Sequence, residues 1–469
     1  ANVGRNTFTT PLTYDFVAPA GGDVSYGYLT VPPKGQDSAV VNVPIFASAA
    51  TAFLVGGKNC LFDNADDDVC DAHRAFVYER YLVVGDGDIA SVTEEMNKIR
   101  GRDMGTVSGF VTWASTGESV PNAQILVLAD PDPGREWEPL DQVARANREL
   151  RGDVGVLNAI SADLGIDKTE DGDYRAALEE GDYLFVAMDP SRQAVSRPAR
   201  LSLLSGEEKT LSLALPEVAF VDYRITDATG LTMPGKLTFV SLDADDRPLD
   251  GDGRRRPYAG EGRLANGARL LEITATGTGR VRIEPGRYRV YVSRGPEYGV
   301  YTAKLELTPG QVQRVDATLA HEVDTTGWMS IDMHLHSAPS FDSGMPVPLR
   351  VTTAVAEGLD VGVSTDHDVA TDYEPVIREM RLEQQIKSFV SAEVTTLEYG
   401  HFIGFPLDYD NLDVPRHGSP DWSCLPGGQI LDAIRKAGTP DLKPLTIVAH
   451  PRDGFFGYLD QSGVDTFTL

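Results

Sequence analysis

The chain has 469 residues, and its 70 acidic and 42 basic side chains give a formal net charge of -28. A surface this acidic repels phosphate backbones and anionic membranes, so it argues against nucleic-acid and membrane-surface partners. An apolar fraction of 41% is that of a folded protein, and the length predicts about three or four domains. No segment is predicted to span a membrane, because the best candidate, Val40 to Val55, is short and interrupted by polar residues.

The first predicted domain, residues 1–103, is rich in short strands and contains one helix near residues 92–100, capped by Ser91. Cys60 and Cys70 flank a short acidic loop, and we expect them to form a disulfide in an oxidising compartment. Two reduced thiols in a cytosolic protein are the alternative. The loop from Asp63 to Asp68 could bind calcium, although it lacks the register and the glycine of an EF-hand.

Residues 104–322 contain an internal repeat, in which the segment from Gly181 to Val186 is echoed by the segment from Gly286 to Tyr291. Each is followed by a strand, a turn and a second strand. Alternating apolar residues between turns predict two β-sandwiches, at residues 104–216 and 217–322. The segments Val107 to Val111 and Val120 to Ile125 resemble the opening of carboxypeptidase regulatory-like domains. A charged helix from Asp141 to Leu150 is predicted as an insertion in the first sandwich.

From residue 323 to residue 469 the pattern changes to strands that alternate with helices. A strand from Trp328 to His334 is followed by a helix from Val347 to Glu357, which Gly358 ends. Further strands are predicted at Val361 to Ser364, Ser388 to Ala392, Phe402 to Phe405 and Leu445 to Ala449. Polar residues follow the carboxyl ends of several strands, which is typical of α/β barrels with their sites at that face.

Five of the eight histidines fall in short motifs of this last domain. The alternation in His334-Leu335-His336 places both imidazoles on one face of a strand, about 7 Å apart along it. Imidazoles and carboxylates gathered at strand ends can bind zinc or a similar divalent ion and lower the pKa of a bound water. Histidines that serve only as hydrogen-bonded framework residues are the alternative. No serine triad or marked cysteine nucleophile is visible, so covalent catalysis is not expected.

In their order these motifs resemble the PHP (polymerase and histidinol phosphatase) superfamily, and within it the CehA/McbA-like metallohydrolases, over roughly residues 328 to 455. The resemblance implies a distorted β/α barrel that hydrolyses phosphoester, carbamate, ester or amide bonds. Zinc is the ion we expect, with manganese and iron as alternatives. The residues that match direct metal ligands are His334, His336, Glu393, His401 and His450, with Asp342 and His367 matching ligands of a further ion. Asp332 and Asp366 are predicted to lie behind these ligands and to fix the tautomer of an imidazole.

One feature departs from the family pattern, because the late Asp-x-His motif that closes its barrel does not follow His450. We therefore expect an incomplete barrel, with about half to two thirds of the usual domain present. The ion bound by Glu393, His401 and His450 would keep most of its ligands. The ions served by His334 with His336, and by Asp342 with His367, would each lack one.

The sequence thus predicts N-terminal all-β modules followed by a partial α/β barrel, in an extracellular or periplasmic hydrolase that acts on a small ester, phosphoester or carbamate. Ala1 is not a methionine, which indicates either processing after export or a piece of a longer chain. The alternative function is a non-catalytic surface or adhesive β-sandwich protein with a degenerate metal site. A nuclease ranks low because of the acidic surface. Trp422 is predicted to be a hydrophobic anchor rather than part of a substrate lid.

Overall fold

The computed structural model describes residues 16–17, 20–21, 24–31, 38–45, 48–55, 58–59, 79–137, 140–151, 155–164, 170–248, 268–396, 399–410, 418–453 and 457–463. Cys60, Cys70 and the acidic loop from Asp63 to Asp68 lie outside these residues, so the disulfide and the calcium site stay predictions. Within the described chain no helix has both the length and the apolar character needed to cross a bilayer.

The described residues of the N-terminal part form two small antiparallel sheets and one helix. Strand β3 pairs with β1, β2 and β7, while β4, β5 and β6 form the other sheet. The described elements are β1 (Phe16–Val17), β2 (Ala20–Gly21), β3 (Val24–Val31), β4 (Ser38–Ile45), β5 (Ser48–Val55), β6 (Lys58–Asn59), β7 (Glu79–Gly85) and α1 (Ile89–Arg100).

Helix α1 packs its apolar face, including Val92 and Met96, against Val83 of β7. The helix begins three residues before the predicted start. Its N-cap is Asp88, whose Oδ1 accepts the backbone N–H of Ser91 at 2.8 Å. The prediction that Ser91 caps the helix is therefore wrong. The buried Asp88 carboxylate also accepts the backbone N–H of Ser161, which ties the helix start to the first sandwich.

Two β-sandwiches follow, and they share one topology. In the first, sheet β10-β9-β12-β13 faces a sheet in which β8 pairs with β11, β14 and β15. In the second, sheet β18-β17-β20-β21 faces sheet β19-β16-β22. The first contains β8 (Met104–Trp113), β9 (Gln124–Ala129), α2 (Leu140–Arg151), β10 (Val156–Ser161), β11 (Asp173–Glu179), β12 (Gly181–Met188), β13 (Ala199–Leu203), β14 (Glu208–Thr210) and β15 (Leu213–Leu215). The second contains β16 (Ala219–Thr226), β17 (Gly235–Ser241), β18 (Ala268–Thr274), β19 (Thr278–Ile283), β20 (Gly286–Ser293), β21 (Tyr301–Leu307) and β22 (Val312–Thr318).

The internal repeat extends to single hydrogen bonds. The hydroxyl of Tyr183 in β12 donates to the carbonyl of Glu179 at 2.7 Å. The hydroxyl of Tyr288 in β20 donates to the carbonyl of Glu284 at the same distance. Each tyrosine is buried and stands two residues after the glycine that opens its strand. The repeated sequence therefore builds the same corner in both sandwiches.

The last region contains β23 (Ile331–Leu335), α3 (Val347–Ala356), β24 (Val361–Ser364), α4 (Glu374–Glu379), β25 (Lys387–Val390), β26 (Ala392–Thr395), β27 (His401–Phe405), α5 (Gly427–Lys436), β28 (Leu445–Val448) and α6 (Tyr458–Gln461). Strands β23, β24 and β25 form a parallel sheet, and β26, β27 and β28 form an antiparallel one. Helix α3, which the sequence predicted, connects β23 to β24, and α4 connects β24 to β25. Among the described residues these strands form two separate three-stranded sheets, so the predicted barrel is not shown.

The chain is therefore mostly β-sheet, with several sheets that each have buried apolar residues of their own. The sheets fall inside the four ranges expected from the sequence, 1–103, 104–216, 217–322 and 323–469. Where one domain ends and the next begins stays a prediction.

Candidate metal centre

Six of the seven predicted ligands lie in or next to five strands, and the seventh lies in a loop. His334 and His336 come from the end of β23, and His367 follows β24. Glu393 belongs to β26, His401 opens β27 and His450 follows β28. Asp342 lies in the loop between β23 and α3. The parallel sheet and the antiparallel sheet meet here through a bridge between His367 and Glu393.

Glu393 lies at the centre of the cluster and is fully buried, with 0% of its surface exposed. Its Oε2 lies 3.1 Å from Nε2 of His334 and 3.1 Å from Nε2 of His336. The same oxygen lies 3.4 Å from Nδ1 of His367. Its Oε1 lies 3.0 Å from Nδ1 of His401 and 3.0 Å from Nε2 of His450. Five imidazoles thus surround one carboxylate.

Asp342 forms the edge of the cluster that is open to solvent. Its Oδ1 lies 3.1 Å from Nδ1 of His336, and its Oδ2 lies 3.5 Å from Nε2 of His367. A neutral imidazole carries a proton on one nitrogen and a lone pair on the other. If His336 uses Nε2 as a ligand beside Glu393, its Nδ1–H donates to Asp342 or to Ser340, whose Oγ is also 3.1 Å away. Asp342 and His367 are then the remaining pair for a further ion.

The charges in the cluster shift several pKa values. Burial alone would raise the pKa of Glu393, but hydrogen bonds from His334, His336 and His401 lower it far below the usual range. Burial would lower the pKa of His336, yet Glu393 and Asp342 outweigh it and raise that pKa. Burial lowers the pKa of His367. The buried carboxylate is therefore ionised, and it attracts positive charge into the cluster.

The donor atoms fit divalent metal binding. In a tetrahedral zinc site, ligands at about 2.0–2.2 Å from the ion lie roughly 3.3–3.6 Å from one another. Nδ1 of His401 and Nε2 of His450 are 3.1 Å apart, and each is 3.0 Å from Oε1 of Glu393. His334, His336 and Glu393 form a second compact group of donors, and His336, Asp342 and His367 a third. Nitrogen and carboxylate donors suit zinc, manganese and iron.

Asp332 and Asp366 take roles different from those predicted. Oδ1 of Asp332 accepts the backbone N–H of His334 at 3.0 Å. The fully buried Asp366 accepts the backbone N–H of Ser337 at 2.5 Å and the hydroxyls of Ser337 and Thr371. Both carboxylates bond to the main chain beside the paired histidines rather than to an imidazole. The expectation that they fix a tautomer is corrected accordingly: they fix the backbone that presents His334 and His336.

Three contacts within the cluster, two of them made by His367, were not predicted from the sequence. The hydroxyl of Thr395 lies 2.7 Å from Nδ1 of His367. The ring of Phe341 stacks on the ring of His367, with centroids 4.6 Å apart. The hydroxyl of Ser340 donates to Asp342 at 2.7 Å. Thr395 could have been found, because strand alternation places residue 395 on the same face as Glu393.

Trp422 packs at the edge of the buried cluster around Phe402 and Ile430, and its Nε1 donates to Asp368 at 3.0 Å. This contact agrees with an anchor rather than a lid. The exposed Cys424 makes no disulfide among the described residues.

Comparisons with known proteins add little. No family model matches the chain, and no curated protein matches it. Among solved structures it is similar to the Bacillus anthracis TIE protein, with 10% identity over 66% of this chain and 45% of that protein, and a TM-score of 0.18. It is also similar to GBS52, the minor pilin of Streptococcus agalactiae, with 13% identity over 47% of this chain and 97% of that protein, and a TM-score of 0.25. The shaft pilin SpaA of Lactobacillus rhamnosus GG matches with 11% identity over 47% of this chain and 98% of that protein, and a TM-score of 0.24.

The chain thus spans less than half the length of the TIE protein. With TM-scores between 0.18 and 0.25, these likenesses transfer neither a fold nor a function to this chain.

Proposed function

We propose that the chain is a metal-dependent hydrolase of the PHP type. The observation that carries this proposal is the buried Glu393 carboxylate, which five imidazoles contact at 3.0–3.4 Å. Burying an ionised carboxylate costs several kcal/mol unless partners of opposite charge or metal ions offset the cost. A buried carboxylate that contacts several imidazoles supports a site for cations.

The residues divide into two neighbouring ion positions that share Glu393. One position uses His334 and His336 with Oε2, and the other uses His401 and His450 with Oε1. Asp342 and His367 would serve a further ion with fewer ligands. Divalent ions bound here would polarise the scissile group and lower the pKa of a water molecule. The side chains bind and orient, and no side-chain nucleophile takes part.

We infer the substrate class and the location from the sequence. The PHP resemblance suggests a small phosphoester, carbamate, ester or amide. An extracellular or periplasmic location depends on the Cys60–Cys70 disulfide, and comparing intact masses before and after reduction would test it.

The decisive experiment compares the full chain with its His336→Ala and Glu393→Gln variants. Each protein is expressed in medium supplemented with zinc and manganese and is then purified. Its bound metal is measured by mass spectrometry. A panel of phosphoesters, carbamates and esters is then assayed. We expect both variants to lose most of their metal and their turnover. His321→Ala is the matched control, because His321 pairs with Glu297 at 3.0 Å outside the site. Wild-type metal content in both site variants would refute the proposal.

The second candidate is a non-catalytic surface or adhesive protein. Two β-sandwiches with their own buried cores make up much of the described chain, which favours this alternative. If pure wild-type protein contains no metal and hydrolyses nothing in the panel, the alternative takes the place of the hydrolase.

A further inference from the structure

Thr395 connects two of the proposed ligands through one hydroxyl group. Its Oγ1 lies 2.9 Å from the backbone carbonyl of Glu393, to which it donates. The same oxygen lies 2.7 Å from Nδ1 of His367. A threonine hydroxyl has a single proton but two lone pairs. With its proton on the Glu393 carbonyl, it must accept a hydrogen from His367.

The surroundings of the two His367 nitrogens agree with this assignment. Nδ1 faces two acceptors, the Thr395 hydroxyl at 2.7 Å and Oε2 of Glu393 at 3.4 Å. Among the described residues, the acceptor that faces Nε2 is Oδ2 of Asp342, at 3.5 Å. The proton of a neutral His367 is therefore better stabilised on Nδ1, and the lone pair lies on Nε2, next to Asp342.

Asp368 holds Thr395 in this position. One oxygen of Asp368, Oδ1, accepts the backbone N–H of Thr395, the hydroxyl of Ser419 and the indole N–H of Trp422, each at 3.0 Å. The backbone N–H of Asp368 donates to the carbonyl of Glu393 at 3.0 Å. Asp368 adopts a φ of 51°, a left-handed conformation that few residues other than glycine, asparagine and aspartate adopt. The strand that carries Glu393 and the loop that carries His367 are thereby linked through one side chain.

We propose that Thr395 is a positioning residue that fixes the Nδ1–H tautomer of His367, and that Asp368 holds Thr395 in place for this task. Nε2 of His367 is then the ligand atom that faces Asp342. This inference rests on the proposed function only for the purpose of the tautomer, which is to present Nε2 as a metal ligand. The tautomer itself is a property of the metal-free protein.

The test measures the ¹⁵N shifts of histidine side chains in metal-free, histidine-labelled full chain. The measurement is made at about pH 8.5, where His367, whose pKa burial lowers below the ordinary value of about 6.5, is neutral. The His367 signals are assigned by comparison with His367→Gln. We expect a protonated-type shift at Nδ1 and a lone-pair-type shift at Nε2 in the wild type. Thr395→Val, which keeps the shape of the side chain but lacks the hydroxyl, should move the His367 signals toward the other tautomer, and Thr395→Ser should restore them.

Metal titration of the same proteins supplies a second readout. Loss of a hydrogen bond that orients a ligand typically weakens metal affinity about 10–100-fold, so Thr395→Val should bind zinc more weakly than Thr395→Ser. Unchanged His367 shifts in Thr395→Val would overturn the inference. If those shifts move as expected but the wild type binds no metal, the inference stands and the proposed hydrolase fails.

Asp368 is tested with two variants that both tolerate its backbone conformation. Asp368→Gly removes the acceptor and should disturb the His367 signals as Thr395→Val does. Asp368→Asn keeps an acceptor oxygen and should leave them close to wild type. Wild-type signals in Asp368→Gly would remove Asp368 from the proposal.

Discussion

The buried Glu393 and the half-buried Glu272 have pKa values shifted in opposite directions. Glu393 is surrounded by imidazoles, which outweigh its burial and lower its pKa. Glu272, in β18, receives one hydrogen bond at 2.9 Å from the hydroxyl of Tyr223, and burial raises its pKa above 4.5. Burial likewise raises the pKa of Tyr223, to about 12. The direction of each glutamate's pKa shift depends on whether cationic partners contact its carboxylate.

The raised pKa of Glu272 predicts how stability depends on pH. The folded state holds this proton more tightly than the unfolded state, so the contribution to stability is full below the unfolded pKa of 4.5 and is lost as pH rises through the folded pKa. Glu272→Gln keeps an acceptor for Tyr223 without the charge. We expect its free energy of unfolding, relative to wild type, to rise between about pH 4 and about pH 7.

Urea unfolding of the full chain at both pH values measures this difference. Glu306→Gln is the control, because Glu306 is exposed on β21. A Glu272→Gln difference that does not vary with pH would contradict the prediction.

At this scale the sequence predicted the seven clustered side chains, since their motifs are short and local. It did not predict that Asp88 rather than Ser91 caps α1, because the second partner of Asp88, Ser161, is distant in sequence. The tautomer role given to Asp332 and Asp366 was wrong for a related reason. Spacing along the chain does not show whether a carboxylate meets a ring or a backbone N–H.

At the scale of elements, local patterns predicted strands and helices well. The strand Val361–Ser364 is found as predicted, and α3 ends one residue before the predicted bound. Sheet closure was not predictable in the same way, because it depends on pairing between strands far apart in sequence. The expected single strand from Ser388 to Ala392 is divided between β25 and β26, which belong to different sheets.

The repeated tyrosine corner gives a test at this scale. Tyr183→Phe and Tyr288→Phe each remove one buried hydroxyl that donates to a carbonyl at 2.7 Å. Each loss should lower the free energy of unfolding by about 1 kcal/mol, and the two effects should be similar. Calorimetry of the full chain measures both. Tyr291→Phe, on the same strand as Tyr288, is the control and should change little. Strongly different losses in the free energy of unfolding of the two variants would argue against structural equivalence of the two sandwiches.

At the scale of the whole molecule, the second sandwich is docked on α3, the helix that follows the His334-Leu335-His336 motif. Nη1 of Arg294 donates to the carbonyls of Pro234 and Val355, each at 3.1 Å. Lys236 forms an ion pair with Glu357, just beyond α3. Gly295 allows this close approach, because a Cβ at that position would lie 2.0 Å from the carbonyl oxygen of Glu357.

Gly295→Ala should therefore separate the sandwich from α3. Gly295 has a φ of 60°, and Gly230 in the same sandwich has a φ of 85° with open space around it. Gly230→Ala should cost only the conformational strain, roughly 1–2 kcal/mol. Gly295→Ala should cost more and should speed protease cleavage between the sandwich and β23. Equal stability and equal cleavage rates in the two variants would contradict the docking.

Anomalous X-ray diffraction at the zinc absorption edge would show whether Glu393 and its histidines bind metal ions. Crystals of the zinc-loaded protein should give anomalous peaks about 2.0–2.2 Å from the Glu393 oxygens and from the facing imidazole nitrogens. Crystals of Glu393→Gln should lose these peaks. Zinc-loaded wild-type crystals with no peak at Glu393, or with peaks only elsewhere, would contradict the account.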